Sequence, residues 1–369
     1  MKNKNISVIG IGRLGLCLSL NFERAGYKVF GCDIKSEYIN KINEKKLKSI
    51  EPFVNSYLKK SKNFHATNSI KETLSNSDII FITVRTETNK DGSYDVSQCD
   101  AVVKSLIRLG YQKRQKTLII NCNVNPGYTE SERKKLLKFN FKTSFNPEWV
   151  AQGTIIKNQC TPDLIVIGEH DKNEGNKIEG IYKKMCSNNP PIYKMNSLSA
   201  EITKISLNCF LTTKITFANM IGDLSERVGA DQKKILEAVG SDSRIGKKYF
   251  SYGFGYGGPC FPRDNRAIIK YLKTNKILPL LPSATQDYNK LHLNYQIKNF
   301  VKKNPKKSKP IKIYGVTYKP GVDILEESQQ LKFALKLASK GYKVIIEDLS
   351  SVCKQLRKLY GDKFVYKEL

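Results

Sequence analysis

Histidine is nearly absent, at three residues in 369, and no two cysteines stand as a Cys-x-x-Cys pair. With only His65, His170 and His292 among nine scattered cysteines, no cluster has zinc-ligand spacing, so no metal is expected. An odd number of scattered cysteines reads as reduced thiols, which points to a cytoplasmic location. Long apolar runs are missing too, so no membrane span is expected. The stretch 6–20, after Lys2 and Lys4, has some look of a secretory signal, but Arg13 interrupts it and its three glycines have a better use. Acidic residues are the scarcer charge, 34 against 63 Lys and Arg, leaving a net charge of +29. Such a field attracts polyanions. The lysines are nevertheless spread over the whole chain, with no aromatic-interleaved basic patch, so nucleic acid is not expected as a partner. The bland reading is a lysine-rich surface that also suits a small anionic ligand.

What is present organises into alternating elements. Residues 6–9 read as a short buried strand, 14–25 as a helix and 28–32 as a second strand ending at Asp33, which is a βαβ unit. Strand-like runs follow at 78–84, 117–122, 143–145 and 164–167 with helical patterns between them, which argues a doubly wound parallel sheet. Residues 197–228 hold no proline and one glycine, and their apolar positions cover more than one face. A continuous helix there would be roughly 48 Å long. Being apolar on several sides, it reads as a buried spine and a dimer surface. Helical patterns continue over 231–239, 263–275 and 283–303, and a second strand-first unit follows: strand 311–316, helix 329–340, strand 344–346 and a last strand at 364–366. The expected fold is therefore α/β: an N-terminal Rossmann-like domain (1–196), a central long-helix domain (197–304) and a partial C-terminal Rossmann-like domain (305–369).

Four segments carry chemistry. Gly10-Ile11-Gly12-Arg13-Leu14-Gly15 follows a strand, opens a helix and precedes Asp33 at the end of the next strand, the context that a dinucleotide fingerprint requires. Gly10 allows the tight turn, Gly12 lets a pyrophosphate approach amides at the helix N-terminus, and Gly15 lets helix and strand pack closely. Asp33 would accept hydrogen bonds from a ribose and repel a 2′-phosphate, so NAD is preferred to NADP. The second segment runs Gly253-Phe254-Gly255-Tyr256-Gly257-Gly258-Pro259-Cys260-Phe261-Pro262-Arg263-Asp264. Pro262 suits the start of a helix, and a sulfur at the positive end of a helix dipole tends toward thiolate, so Cys260 is a candidate nucleophile. A buried structural cysteine on a glycine-rich turn is the alternative. Third, Glu201, Lys204 and Asn208 are spaced to share one helix face. Spacing alone leaves Lys204 open between a surface charge and a group that steadies an oxyanion. Asn146-Pro147-Glu148 puts a carboxylate just after a strand, where doubly wound sheets put their ligands, with a surface turn or a helix cap as the alternatives.

In this order, from Ile6 to about Asp348, these motifs resemble the UDP-glucose/GDP-mannose dehydrogenase family. The shared segments are the glycine fingerprint; Asn146-Pro147-Glu148 with Gly153; Ala200-Glu201-x-x-Lys204-x-x-x-Asn208; the loop from Gly255 to Asp264; and Tyr318-Lys319-Pro320 to Glu327-Ser328. The resemblance implies oxidation of a nucleotide sugar's primary alcohol to a carboxylate with two NAD, through a thiohemiacetal and a thioester on Cys260. It assigns catalytic roles to Cys260, Lys204, Asp264, Glu148 and Asn208. Cofactor contacts would come from Gly10, Gly12, Arg13, Leu14, Gly15, Asp33, Thr86, Asn123, Gln152 and Arg263. Substrate contacts would come from Glu148, Trp149, Val150, Lys204, Asn208, Tyr249, Gly253, Gly257 and Lys319, with Arg244 reaching the neighbouring subunit's substrate in a homodimer built on the 197–228 helix.

The chain departs from the family pattern at four places. Val84-Arg85-Thr86-Glu87 stands where the family has Val-Pro-Thr-Pro, Asn123 replaces a threonine, Gln152 a glutamate, and Glu326 an arginine near the nicotinamide. The Tyr-Gly-Gly-Pro-Cys form of the loop is more similar to UDP-glucose enzymes than to those acting on GDP-mannose or UDP-N-acetylhexosamines. The expected activity is therefore oxidation of UDP-glucose to UDP-glucuronate, with those other sugars, or nucleotide binding without turnover, as alternatives.

Overall fold

The computed structural model describes residues 5–369, which divide into two compact units, one ending at Lys204 and the other beginning at Ile205. The first is built on an eight-stranded sheet: β1 Asn5–Ile9, β2 Lys28–Cys32, β3 Phe64–Thr67, β4 Ile79–Ile82, β5 Lys116–Ile120, β6 Phe141–Phe145, β7 Ile165–Gly168 and β8 Ile192–Met195. Its order is β3-β2-β1-β4-β5-β6-β7-β8, so the direction of winding reverses between β1 and β4. Doubly wound sheets bind their ligands at such a switch point.

Alternation within each strand explains the layers. Phe81 and Ile119 point into one fully buried cluster with Leu16, Leu20 and Phe22 of the helix Arg13–Arg24, whereas Ile80, Ile82, Leu118 and Ile120 point into the other, with Val103, Leu106 and Leu136. A sheet covered on both faces needs apolar residues at every position of its central strands, which is why these read as unbroken hydrophobic runs. The sheet is not wholly parallel, and that expectation is corrected: β7 runs antiparallel to β6, through Phe145 and Gly168, and β8 is parallel to β7. Between β6 and β7 the only helix is the short Ile155–Cys160, so the chain re-enters the sheet from a loop without a full crossover helix. Gly168 lets the next element dock, because a Cβ there would lie 2.8 Å from Ser197 Cα and 3.0 Å from Ala200 Cβ.

The helix Ser197–Val228 is continuous and passes from the first unit into the second. Helices Gln232–Ser241, Phe261–Thr274 and Leu280–Lys303 follow, then a parallel three-stranded sheet in the order β9 (Ile311–Tyr314), β10 (Val344–Asp348), β11 (Val365–Glu368). Helices Gln329–Ser339 and Ser350–Tyr360 cover it, burying Leu331, Ala334, Leu337, Val352 and Leu356 against Val344 and Ile346. Ser328 caps the first of these, its hydroxyl accepting from the Leu331 amide at 3.1 Å. No helix among the described residues is long and apolar enough to cross a membrane, and no group of three or more His, Cys, Asp or Glu side chains among them is arranged to hold a metal.

Candidate active site

In the first unit the fingerprint forms the turn from β1 into the helix Arg13–Arg24. Gly10 adopts φ +92°, and a Cβ there would lie 2.9 Å from the Val84 amide nitrogen. At Gly15 a side chain would run into the Gly10 carbonyl and Thr83 Oγ1, and the Thr83 hydroxyl itself donates to the Gly10 carbonyl at 2.5 Å. Gly12 is the contrast: it is the helix N-cap, and a Cβ built on it meets nothing within 4 Å. The backbone at Gly12 is therefore open at the positive end of the helix, where a pyrophosphate could approach it. Asp33 closes β2, half-buried, its carboxylate accepting from the Lys35 amide at 3.2 Å. Arg13 reaches across to Gln152, Nη1 to Oε1 at 2.9 Å, so two residues expected at the cofactor meet. Thr86 is buried and Asn123 half-buried, near the ends of β4 and β5.

The Asn146-Pro147-Glu148 turn leaves β6 in a web that sequence reasoning missed. Asn146 is fully buried, donates to the Val166 carbonyl at 2.8 Å and accepts from the Tyr182 hydroxyl at 2.6 Å. Glu148 Oε1 is approached by Asn121 Nδ2 at 3.4 Å and Tyr182 OH at 3.5 Å. Burial of its carboxyl pushes its pKa above the ordinary value of 4.5, against which the Asn121 bond and the Lys204 charge pull down. Lys204, itself buried, donates to the Glu148 carbonyl at 2.8 Å and lies 4.6 Å from the centre of the Trp149 ring; Val150 follows, half-buried. Two further carboxylates hold the loops around them. Glu51 accepts from the amides of Gly153 (2.8 Å) and Ile155 (2.7 Å), and Glu201 from those of Gly127 (2.6 Å) and Thr129 (2.9 Å). No local pattern marks Glu51, Asn121 or Tyr182, since their partners lie far away in sequence. Glu201 was legible only as a neighbour of Lys204 on the helix.

In the second unit Cys260 is the N-cap of the helix Phe261–Thr274, with a proline in the first turn, as expected. Of the nine cysteines, Cys260 is the exposed one. Burial pushes the thiols of Cys32 and Cys186 up to about 12, which leaves them inert at neutral pH. The Arg263 guanidinium, by contrast, lies 3.9 Å from the Cys260 sulfur, so a fixed positive charge and a helix N-terminus both adjoin that atom. Asp264 is fully buried, accepts from Asn208 Nδ2 at 2.5 Å and pairs with Arg263 Nε at 3.4 Å. Asn208 and Asp264, one on each of two helices, thus form a single polar unit one turn into the helix that Cys260 caps.

The glycines before Cys260 admit backbone at close range. The Tyr318 ring occupies the space a Gly258 side chain would need, and the Glu327 carbonyl that of Gly257. Gly258 N donates to the Glu326 carbonyl at 3.1 Å, so the segment that carries Lys319 packs directly on the cysteine loop.

Comparison with known proteins decides what this arrangement belongs to. Residues 4–186 match the model of the UDP-glucose/GDP-mannose dehydrogenase family's NAD binding domain, and residues 198–291 that of its central domain. The UDP-glucose 6-dehydrogenase of Rickettsia prowazekii is 30% identical over 344 residues, covering 91% of this chain and 79% of its own. The chain belongs to the UDP-glucose/GDP-mannose dehydrogenase family. The GDP-mannose 6-dehydrogenase of Pseudomonas aeruginosa is 28% identical over 361 residues, 93% of this chain and 80% of that one. The solved UDP-glucose dehydrogenase of the archaeon Pyrobaculum islandicum superposes with a TM-score of 0.90 at 28% identity, over 99% of this chain and 86% of that one.

As a member of this family the protein is an NAD-dependent nucleotide-sugar dehydrogenase, and its fingerprint turn fits the cofactor, because Gly12 leaves open the backbone that a pyrophosphate would approach. The remaining expected substrate residues are placed individually. Tyr249 takes the left-handed φ of +61°, unusual for an aromatic residue, with its ring 6.0 Å edge-on to Phe261. Gly253 donates its amide to Asn219 Oδ1 at 3.0 Å, and Lys319 is half-buried with its ammonium 6.0 Å from the centre of the Tyr318 ring. Arg244 is exposed and holds Asp242 with two bonds, at 3.0 and 2.7 Å.

Proposed function

We propose that the protein oxidises the primary alcohol of UDP-glucose to the carboxylate of UDP-glucuronate. The observation that carries the reading is the exposed thiol of Cys260, flanked by Arg263 and a helix N-terminus, while burial keeps other thiols such as Cys32 and Cys186 unreactive. NAD, when bound, accepts a hydride in each of two oxidations. The alcohol first becomes an aldehyde, losing a hydride from carbon and a proton from oxygen. The Cys260 sulfur then adds to the carbonyl carbon and the oxygen takes a proton, giving a thiohemiacetal that cannot diffuse away. Loss of a second hydride, with the hydroxyl proton, leaves a thioester. Water attacks its carbonyl carbon, the carbon–sulfur bond breaks, and carboxylate and thiol are released. Overall, one alcohol, two NAD and one water give one carboxylate, two NADH and three protons.

In this reading the Lys204 ammonium, held against the Glu148 carbonyl, steadies negative oxygen, and Asn208 and Asp264 position sugar and water. Glu148 acts as base toward water, and Lys319 meets the pyrophosphate. Gly10, Gly12, Arg13, Leu14, Gly15, Asp33, Thr86, Asn123, Gln152 and Arg263 serve the cofactor. The domains of function are 1–196 for NAD, 197–304 for dimerisation and 305–369 for the nucleotide sugar. A homodimer through the long helix is supported by its exposed Phe210, Phe217 and Leu224, spaced seven apart so that they form one uncovered stripe. We place the protein in the cytoplasm. GDP-mannose stands as the second substrate reading, because a GDP-mannose 6-dehydrogenase is about as similar to this chain as the UDP-glucose enzymes are.

The test is spectroscopic. Purified protein with NAD and UDP-glucose is expected to give two NADH per sugar, and Cys260→Ala none. Faster turnover of GDP-mannose or a UDP-N-acetylhexosamine would replace the sugar assignment. No NADH above the Cys260→Ala control with any nucleotide sugar, together with retained NAD binding, would leave a binding protein without turnover.

A further inference from the structure

Behind the cysteine loop, within the second unit, lies a cavity of about 360 Å³, in the size range of small-molecule sites. Its walls include Tyr256, Pro262, Arg266, Lys290, Glu327 and Lys332; neither Cys260, Tyr249, Arg244 nor Lys319 lines it. Tyr256 is 4% exposed and its hydroxyl has no hydrogen-bond partner. An unsatisfied buried hydroxyl costs about 1–3 kcal/mol, so its retention asks for a partner that completes it. Burial raises the phenol's pKa, so it stays a neutral donor, and the Arg266 and Glu327 charges that act on it belong to the cavity wall.

The polar groups there are unevenly committed. Asn289 is used up on the Tyr256 backbone, accepting from its amide and donating to its carbonyl, both at 3.0 Å, and Gln329 also donates to that carbonyl at 3.2 Å. Glu327 is shared by Arg266 (3.2 Å) and Lys332 (2.5 Å), and Lys290 pairs with Asp287 at 3.3 Å. Arg266, Lys290 and Lys332 therefore face a single lining carboxylate, an excess of two positive charges in the wall. Guanidinium and ammonium groups keep further N–H bonds to offer beyond those pairs. A donor-rich wall of net positive charge with a spare phenol selects a small dianion.

We propose that this cavity binds a phosphate group, either free phosphate or a small phosphate monoester, held by Arg266, Lys332 and the Tyr256 hydroxyl. Binding there would act on the catalytic loop, because Tyr256 and Pro262 bracket Cys260 and the Glu327 backbone, at φ +53°, sits against Gly257. The experiment is calorimetric titration of the full chain, free of NAD and nucleotide sugar, with inorganic phosphate and separately with glucose 1-phosphate. Saturable binding is expected, weakened at least about tenfold in Tyr256→Phe and in Lys332→Met and unchanged in Cys260→Ala and Asp33→Ala. Tyr256→Phe loses an unsatisfied group, so its melting temperature should match or exceed the parent's, which separates lost binding from lost folding. The tighter of the two probes identifies the source of the phosphate. Absence of binding up to about 10 mM, equal binding by Tyr256→Phe and Lys332→Met, or full displacement by UDP-glucose would overturn a separate site. These readouts involve no turnover, so they stand or fall apart from the assigned reaction.

Discussion

The two units solve the problem of holding a loop in opposite ways. In the first, the strands around the fingerprint turn are held chiefly by their own ladder and by burial, with Ile80, Phe81, Ile82, Leu118, Ile119 and Ile120 fully enclosed on the two faces of the sheet. In the second, the inward face of the long helix is polar: Thr212, Thr216, Asn219 and Asp223 are buried, while Phe210, Phe217 and Leu224 face outward. The cysteine loop offers little to bury, because four of its residues ahead of Cys260 are glycine, so direct bonds fix it instead. Asn219 receives the Gly253 amide, His292 Nε2 and Gln296 lie 2.7 and 3.0 Å from the Gly253 carbonyl, and Asn289 takes both polar groups of Tyr256. Behind His292 stands Asp223, 2.9 Å away and also accepting from Tyr252 and Tyr288. Burial is non-directional and tolerates small shifts. A reacting sulfur does not, and hydrogen bonds of fixed geometry suit it better.

The largest effects should separate the two strategies. Phe81→Ala and Asp223→Ala are each expected to cost about 3–5 kcal/mol in urea unfolding, the first by opening a core cavity and the second by stranding the buried His292 and two half-buried tyrosines, Tyr252 and Tyr288. Their consequences for chemistry should differ: the rate of Cys260 alkylation by iodoacetamide stays at the parent value in Phe81→Ala and shifts in Asp223→Ala. Equal alkylation rates would erase the distinction drawn above. Next in size, Asn289→Ala leaves the Tyr256 amide unsatisfied and should cost about 2–3 kcal/mol while altering the same alkylation rate. Smaller still, Asp33→Ser is expected to weaken NAD roughly tenfold while improving NADP, measured by titration, since the fingerprint turn itself is untouched.

The same contrast explains what could be read from the sequence. Strands at 6–9, 28–32 and 117–122 were legible because they are buried on both faces and therefore mostly apolar, with few polar interruptions. β3 and β8 were not: Phe-His-Ala-Thr and Ile-Tyr-Lys-Met lie at the two edges of the sheet, where half-exposed positions blur the pattern. Strand direction leaves no trace in periodicity, so the antiparallel β7 was invisible. The helix expected at 283 begins at Leu280, because Pro282 fits a first turn, where no amide donor is needed. Motif chemistry at Gly10, Glu148, Lys204 and Cys260 was legible as residue types at spacings. Their supports, such as Tyr182 and Asn121 around Glu148 or His292 behind the cysteine loop, come from remote positions and carry no local signal.

The finest expected effect concerns Glu148, a polar group in the burial-dominated unit and the base of the proposed reaction. Burial raises its folded-state pKa above the ordinary 4.5, so between those two values the folded chain binds a proton that the unfolded chain has released. Stability falls with pH wherever the folded state holds more protons. The contribution is therefore fully present below the ordinary carboxylate value and lost as pH rises through the folded one. Glu148→Gln keeps the shape without the titration. The parent's melting temperature relative to Glu148→Gln should decline as pH rises above the ordinary carboxylate value of 4.5, and level off once the folded group has ionised. A difference that stays flat, or one that grows with pH, would mean that the neighbouring Asn121, Tyr182 and Lys204 outweigh burial, and that this carboxylate is held as an ion by the same directional bonds that govern the cysteine loop.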